Sequence, residues 1–526
     1  MNTTKFRFEG SEMNSKLLMG HPSGLFVLFF TEMWERFSYY GMRAILVLFL
    51  TRSVLEGGWA WSREEALGLY GTYTMLVYFS PIIGGFLADK YLGYRKAVAI
   101  GALIMTLGHA AMAFDTPWSL YVGIGLLVAG NGLFKPNITS IISGIYVNAQ
   151  DKKDGAFTIF YMGVNAGAFL GILLCGYIGE TVGWHYGFGL AGVFMFLGML
   201  QFWLAQGIFG SIGLSPSKTI EYNDAIVHDK DVQEQVVQQK VPSNVQRDRY
   251  IVVGILAFFT IFFWAAFEQA GGSMTIFAAD YTDRLLIGSS ADIFRIANTL
   301  LTIVPLMIIT YVLFKLFQIT FKKYALSNIS LGTSFAIIWG IVIWMLYNQF
   351  NTIGTEVPAS WFSILNSFYI IAFAPLVSKI WESKYNPPAS VKFGIGLVLL
   401  GLGFGILAYG SASIQQGAQT ASVSMIWLIL AYLLHTLGEL SLSPVGLSYV
   451  SKLVPAGKIG LMFGLWYIAV GLGNKAAGEM GGMIDKISAS YDMSTFFLIF
   501  TIIPIIAGLI VMALTPIMNK LMHGVR

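Results

Sequence analysis

Four charged residues, Glu32, Glu35, Arg36 and Arg43, fall inside an apolar run that extends from Gly24 to about Leu50. At about 2.5 to 3.5 kcal/mol per charge near the centre of a lipid-exposed helix, the four together would cost about 10 kcal/mol if they faced lipid. They must therefore face protein or water. At about 100° per residue, Glu32, Glu35, Arg36, Tyr39, Tyr40 and Arg43 share a face roughly 140° wide, so one polar stripe lines one cavity. Lys135, Asn165, Glu268 and Glu439 add isolated polar groups to four other apolar runs. Lys135 directly precedes Pro136, and Glu439 stands five residues before Pro444. A proline inside a helix removes a backbone donor and permits a bend at either site. The opposite charges invite pairing of Lys135 with Glu439 and of Arg43 with Glu268, either as gates formed in one state or as static buried ion pairs.

A cavity with Arg43 and Lys135 at one end and Glu439 with Asn165 at the other suits a zwitterion. The cations hold a carboxylate, while the acid and the amide carbonyl hold an ammonium group. Tyr40, Tyr78, Tyr161, Trp264 and Trp466 supply amphipathic walls for varied side chains, although such rings serve ordinary packing equally well. His435, one turn before Glu439, and His109, alone in an apolar helix, read more simply as structural.

The elements that must position these residues follow from composition. Of 526 residues 56% are hydrophobic and 11% charged, and the mean hydropathy is +0.68, which excludes an ordinary soluble domain. A net charge of +4 gives no reason to expect nucleic acid. Cys175 stands alone, so no internal disulfide or multi-cysteine metal site is available. No cleavable signal segment is evident at the N-terminus. Apolar runs predict fourteen transmembrane helices near 24–51, 67–88, 97–114, 118–145, 156–179, 185–211, 250–278, 294–320, 329–350, 361–383, 391–411, 424–451, 459–484 and 495–518. Lys90, Arg95, Lys96, Lys152, Lys153, Lys322, Lys323, Lys384, Lys392, Lys452, Lys458, Lys520 and Arg526 fall in one alternating set of loops; the opposite set holds little beyond Arg52, Arg63, Arg284, Arg295 and Lys486. By the positive-inside rule both termini are expected in the cytoplasm.

The polar segment 215–249 reads as a cytoplasmic linker between two bundles, 24–214 and 250–526, after a cytoplasmic N-terminal segment 1–23. The halves share weak similarity. Phe79-Ser80-Pro81 corresponds to Phe373-Ala374-Pro375, and Gly130 and Gly438 each lie six residues before a proline. Phe160-Tyr161 through Gly167 corresponds to Trp466-Tyr467 through Gly473. With the helices at about 294–350 set aside as an inserted pair, each half has six. Gly85-Phe-Leu-Ala-Asp89-Lys90-Tyr-Leu-Gly93-Tyr-Arg95-Lys96 resembles the loop motif of the major facilitator superfamily. It implies a tight turn at Gly93 and charged side chains that bond neighbouring helix ends. The fold expected is thus all-α and polytopic, a major facilitator fold of two six-helix bundles plus the pair.

Glu32-Met-Trp-Glu35-Arg36-Phe-Ser-Tyr-Tyr40-Gly41 resembles the first signature of the proton-coupled oligopeptide transporters, and Phe160-Tyr161-Met-Gly-Val-Asn165-Ala-Gly167 resembles the second. Gly130 to Asn137 and Gly438-Glu439-Leu-Ser-Leu-Ser443-Pro444 are similar to that family's fourth and tenth core helices. The resemblance implies symport of di- and tripeptides with protons by alternating access, in a bacterial inner membrane, by a chain acting as a monomer. It implies no cofactor beyond the coupling proton. Glu32, Glu35 and Arg36 would serve proton coupling, with Glu268 and Glu439 as further candidates. Arg43 and Lys135 would face the peptide carboxylate, and Asn165, Asn366 and Glu439 its amino group, beside Ser443. Tyr40, Tyr78, Tyr161, Trp264 and Trp466 would shape the side-chain pockets. Three departures stand out: Gly71 occupies the place of the second-helix histidine of animal members, the long extracellular insert of animal members is missing, which makes the chain look bacterial, and the inserted pair follows the helix of Glu268. A carrier of nitrate or another small anion and a non-transporting peptide receptor remain alternatives. An enzyme is not expected, since no Cys–His pair, metal-spaced His cluster or G-x-S-x-G turn is present.

Overall fold

Backbone groups in lipid must be satisfied within each spanning segment, so an apolar chain of this kind builds long helices. The structure, a computed structural model, describes residues 8–216, 242–384, 386–455 and 458–525. The helices are α1 (Ser23–Thr51), α2 (Arg63–Leu87), α3 (Tyr94–Met112), α4 (Pro117–Ile145), α5 (Lys153–Thr181), α6 (Trp184–Ala205), α7 (Ser243–Phe267), α8 (Ser273–Asp280), α9 (Ser289–Thr320), α10 (Ala325–Phe350), α11 (Ile364–Glu382), α12 (Ala389–Gly410), α13 (Ile426–Leu453), α14 (Ile459–Gly482), α15 (Ile484–Ser490), α16 (Met493–Ala513) and α17 (Thr515–Leu521). Three two-stranded pairings of two or three residues each join their ends. The fold is therefore all-α, as expected.

All fourteen expected spans coincide with long helices, and eleven of the described helices are long and apolar enough to cross a membrane. The other three, α1, α3 and α14, carry polar and charged side chains along their length: Glu32, Glu35, Arg36 and Arg43; Arg95, Lys96 and His109; Asn474, Lys475 and Glu479. The span at 495–518 is divided at Leu514 between α16 and α17, and one other is broken well inside its length. The run at 250–278 stops as α-helix at Phe267, passes through a 3₁₀ turn at Glu268–Gly271 and resumes at Ser273. Gly271-Gly272 accounts for the break, because paired glycines give the least support to a helix interior. Of the expected linker, residues 217–241 lie outside the described residues, as do 1–7 of the N-terminal segment and Arg526.

The described residues form two compact units. The first draws on Met1–Ile45, Ser80–Lys230 and Leu285–Pro358, and the second on Leu46–Phe79, Asp231–Arg284 and Ala359–Arg526. In the first unit α3 and α4 meet through reciprocal glycines. A Cβ on Gly101 would lie 2.6 Å from the Gly130 carbonyl, one on Gly130 would lie 2.6 Å from the Gly101 carbonyl, and Gly108 and Gly123 repeat the contact. Small residues let transmembrane backbones approach this closely. The turn after α2 closes at Gly93, whose φ of 73° suits glycine. Beyond it Arg95 donates to the carbonyls of Gln206 (3.0 Å) and Gly210 (2.7 Å) at the end of α6, the helix-end bonding that the loop motif implies. The pair α9–α10 also belongs to this unit. Ser327 and Ser330 donate to the Gln201 and Leu197 carbonyls of α6 at 2.7 and 2.9 Å, and Phe335 meets Phe30 and Trp34 edge-on.

The second unit repeats the glycine device. A Cβ on Gly396 of α12 would lie 2.8 Å from the Gly438 carbonyl of α13, and one on Gly438 would lie 2.7 Å from the Gly396 carbonyl. Gly130 and Gly438, matched by sequence, thus perform the same packing task in their own units. Asp280 accepts from Arg52 (2.8 Å) and Arg63 (2.7 Å), and Arg63 reaches Asp485 at 2.6 Å, fixing the ends of α1, α2, α8 and α15.

Candidate functional site

In the first unit the stripe on α1 is buried and assembled. Arg36 forms a two-pronged pair with Glu35: Nε donates to Oε2, and Nη2 donates to Oε1 at 2.7 Å. Glu32 meets Arg36 Nε more loosely, at 3.3 Å through Oε1, and its buried Oε2 has no hydrogen-bond partner among the described residues. Glu35 is fully buried, and Glu32 and Arg36 are 4% and 3% exposed, so these charges interact with little screening. From α4, Asn131 Nδ2 donates to Glu35 Oε1 at 3.1 Å. Lys135, one turn further along α4 and half-buried, stands within electrostatic reach of Glu32, Glu35, Arg36 and Arg43. The guanidinium carbons of Arg36 and Arg43 lie 5.9 and 5.8 Å from the Tyr40 ring, and 5.0 and 6.0 Å from that of Tyr39. These are cation–π distances, and they order both guanidinium groups along one face.

Packing explains why α1 can hold such a group. Trp34 stacks on Phe194 of α6, Phe37 meets the same ring at a tilt of 50°, and a Cβ on Gly171 of α5 would strike the Phe37 backbone. The apolar side of α1 is thereby clamped between helices. Asn165, also buried, turns its amide to the Tyr161 carbonyl of its own helix at 2.9 Å. Tyr161 itself is 50% exposed, the most open of the residues expected to line a pocket.

The second unit holds the remaining acids. Asn366 of α11 donates to Glu439 Oε2 at 2.9 Å and lies 3.2 Å from the Thr436 hydroxyl. Glu268, in the 3₁₀ turn that interrupts its span, is 2% exposed and accepts from the Tyr70 hydroxyl of α2 at 3.1 Å. Glu268 also lies within electrostatic reach of Glu439, so two carboxyls influence one another in one unit. The rings of Tyr78 and Trp264 are 6.3 Å apart, and Tyr467 approaches Tyr78 at 6.2 Å. Trp466 is buried under Gly446 and meets Phe393 edge-on, so its ring is committed to packing α14. Ser443 Oγ is buried without a hydrogen-bond partner among the described residues.

Each unit holds its own share of the expected site residues. Glu32, Glu35, Arg36, Tyr40, Arg43, Lys135, Asn165 and Tyr161 belong to the first, and Tyr78, Trp264, Glu268, Asn366, Glu439, Ser443 and Trp466 to the second. Sequence reasoning did not single out Asn131, Tyr70 or Lys475, whose ammonium group donates to the Thr72 hydroxyl at 2.9 Å and pairs with Glu479 at 2.5 Å.

Comparison with known proteins identifies the family. The chain matches the PTR2 family profile, described as the POT family, over residues 95–228 and 339–499. It is 32% identical to the uncharacterized transporter YclF of Bacillus subtilis (strain 168), with 97% of each chain covered. It is 29% identical to a di-/tripeptide transporter of Lactococcus lactis subsp. cremoris, covering 97% of this chain and 98% of that one. Among solved structures, peptide transporter POT in complex with sulfate superposes with a TM-score of 0.72 at 30% identity over 97% of both chains. Profile, sequence and structure converge on one assignment: the chain is an integral membrane protein of the POT family.

Proposed function

We propose that the protein carries di- and tripeptides across the membrane together with protons, by alternating access. The observation that carries this reading is the buried group on α1, where one guanidinium serves two carboxylates unequally. Glu35 receives both prongs of Arg36 and the Asn131 amide, an arrangement suited to a lasting anion. Glu32 keeps one oxygen unused, and a proton placed there removes a charge without breaking the two-pronged pair. Neutralising Glu32 shifts the balance around Arg36, Arg43 and Lys135, and that shift biases which state of the carrier is occupied. Inward movement of each charge down a membrane potential supplies roughly 2.3 kcal/mol per 100 mV.

In this reading Arg43 and Lys135 take the peptide carboxylate, while Asn165, Asn366 and Glu439 take the amino group beside Ser443. Tyr40, Tyr78, Tyr161 and Trp264 accommodate side chains, and Trp466 supports α14 behind them. Glu268 and Glu439 are further proton carriers. Lys135 with Glu439, and Arg43 with Glu268, are the gating charges of the cycle. The carrier works as a monomer of two six-helix bundles in the bacterial inner membrane, with both termini and the linker in the cytoplasm and α9–α10 as an accessory pair.

Uptake of a labelled dipeptide into proteoliposomes, with and without an inward proton gradient, tests the reading. Gradient-dependent accumulation blocked by unlabelled tripeptide and unaffected by nitrate is the expected result. Correctly inserted protein that binds peptide without accumulating it, or accumulates only when nitrate is omitted, refutes it.

A further inference from the structure

Asn131 is an amide placed where an apolar residue would be simpler to bury. It is 2% exposed; its Nδ2 donates to Glu35 Oε1 at 3.1 Å, and its Oδ1 has no hydrogen-bond partner among the described residues. A buried carbonyl oxygen without a donor is a standing cost, so packing alone does not explain this side chain. Its neighbours do that packing: Gly130 seats α4 on α3, and a Cβ on Gly132 would lie 2.7 Å from the Ser80 carbonyl. The duplication adds an independent observation. Gly130-Asn131 occupies in α4 the place that Gly438-Glu439 occupies in α13, with the two glycines making equivalent helix contacts. The position after the packing glycine carries an expected site residue, Glu439, in the second half, and that residue too is hydrogen-bonded to another helix of its unit.

Two unused oxygens, Asn131 Oδ1 and Glu32 Oε2, thus border the same carboxylate–guanidinium group. Two acceptors cannot bond one another. A proton on Glu32, reaching Asn131 directly or through one water, turns them into a donor and an acceptor.

We infer that Asn131 is a positioning residue for the proton step: it holds Glu35 as the fixed partner of Arg36 and accepts the hydrogen bond of protonated Glu32. This rests on the proton-coupled transport reading. The charged groups facing Glu32 are Arg36 and Glu35 on its own helix and Lys135 on α4. Among the described residues of this unit, α5 meets this stretch through Gly163 and Gly167, α6 through Phe194 and Gln201, and α10 through Phe335, all of them uncharged contacts.

The test compares wild type, Asn131→Leu and Asn131→Ser in proteoliposomes. Two readouts are used: accumulation driven by a proton gradient across a pH series, and peptide exchange at equal pH on both sides. Asn131→Leu should retain exchange, while its gradient-driven accumulation falls about tenfold and its pH profile moves to more acidic values, the effect of removing one hydrogen bond. Asn131→Ser, which restores a small donor and acceptor, should recover part of both. Asn131→Leu with the wild-type profile and rate overturns the inference, and so does loss of exchange and accumulation together with a lowered melting temperature, which marks a structural role. Failure of the wild-type protein to accumulate peptide would instead strike the transport reading itself.

Discussion

Glu32→Gln and Glu35→Gln neutralise two carboxyls on one face of α1 without changing their shape, and their costs should differ widely. Glu35 accepts two bonds from Arg36, one of them at 2.7 Å, and a third from Asn131 at 3.1 Å, at a site fully buried. A glutamine there retains one acceptor and turns an NH2 group toward donors. With hydrogen bonds to charged groups worth about 1.5–3 kcal/mol each, losing one and weakening the others costs about 3 kcal/mol. Glu32 contributes a single contact of 3.3 Å and leaves its other oxygen unused, so its amide should cost about 1 kcal/mol or less. The difference, about 2 kcal/mol, corresponds to roughly a 30-fold change in the ratio of folded to unfolded protein. Thermal unfolding of the three proteins in one detergent at neutral pH should place wild type and Glu32→Gln close together and Glu35→Gln well below. In proteoliposomes Glu32→Gln should exchange peptide yet fail to accumulate it against a gradient. A Glu32→Gln protein that melts at or below Glu35→Gln refutes the division of labour, as does one that accumulates peptide normally.

Four other outcomes follow from individual contacts. Asn366→Leu deletes the 2.9 Å donor to Glu439, which at about 1–3 kcal/mol should raise the apparent KM for dipeptide about tenfold; an unchanged KM removes Glu439 from substrate binding. Gly84→Ala sets a methyl group against the Gly132 carbonyl and should cost about 1–3 kcal/mol, measurable as a lower melting temperature. Gly85→Ala, whose Cβ meets only the Pro136 ring at 3.9 Å, should be neutral or stabilising by up to about 1 kcal/mol. Finally, burial and then the Lys152 charge hold the His21 imidazole below its ordinary pKa of 6.5, where its Nδ1 lies 2.7 Å from the Tyr146 hydroxyl. Protonation therefore opposes the folded form. The stability that His21 contributes is complete above pH 6.5 and is lost as pH falls through and below it, so His21→Asn should flatten the acid decline of the melting temperature.

The charges on α1 were legible because an ionised residue in an apolar run contradicts its surroundings, and that contradiction has few solutions in lipid. The fourteen helices were legible for the same reason of solvent. What hydropathy averages away was harder to read. Gly271-Gly272 weakens a helix, but the apolar run continues on both sides, so hydropathy does not show the interruption that leaves Glu268 in a 3₁₀ turn. Asn131 sits among glycines and apolar residues with no period of its own, and only the match of Gly130-Asn131 to Gly438-Glu439 points to it. The placement of α9–α10 was not readable from chain order, because Ser327 and Ser330 bond to backbone carbonyls of α6, an interaction with no partner side chain to match. Nor does sequence spacing distinguish Trp466, buried under Gly446, from Tyr161, half open, although both are aromatic residues of matching segments.

A common chemistry joins the acids of the two units. Glu35 is held from another helix by the Asn131 amide, Glu439 by the Asn366 amide, and Glu268 by the Tyr70 hydroxyl. Each of these three bonds comes from a neutral donor, although Lys135 of α4 also stands within electrostatic reach of Glu35. A unit charge at 4 Å binds a carboxylate by about 4 kcal/mol at an effective dielectric constant of about 20. A neutral hydrogen bond contributes about 1 kcal/mol net. A bond of this kind orients an acid without cancelling its charge, and in the proposed cycle it leaves Glu439 and Glu268 able to pass from a proton to an ammonium group or a lysine. Arg36 with Glu35 is the contrasting case, a two-pronged ion pair within one helix, strong enough to stay closed while the weaker contact to Glu32 opens. A carrier that must bind and release in every cycle needs both kinds of contact, and the distribution of amides and guanidinium groups along α1, α4, α11 and α13 separates them.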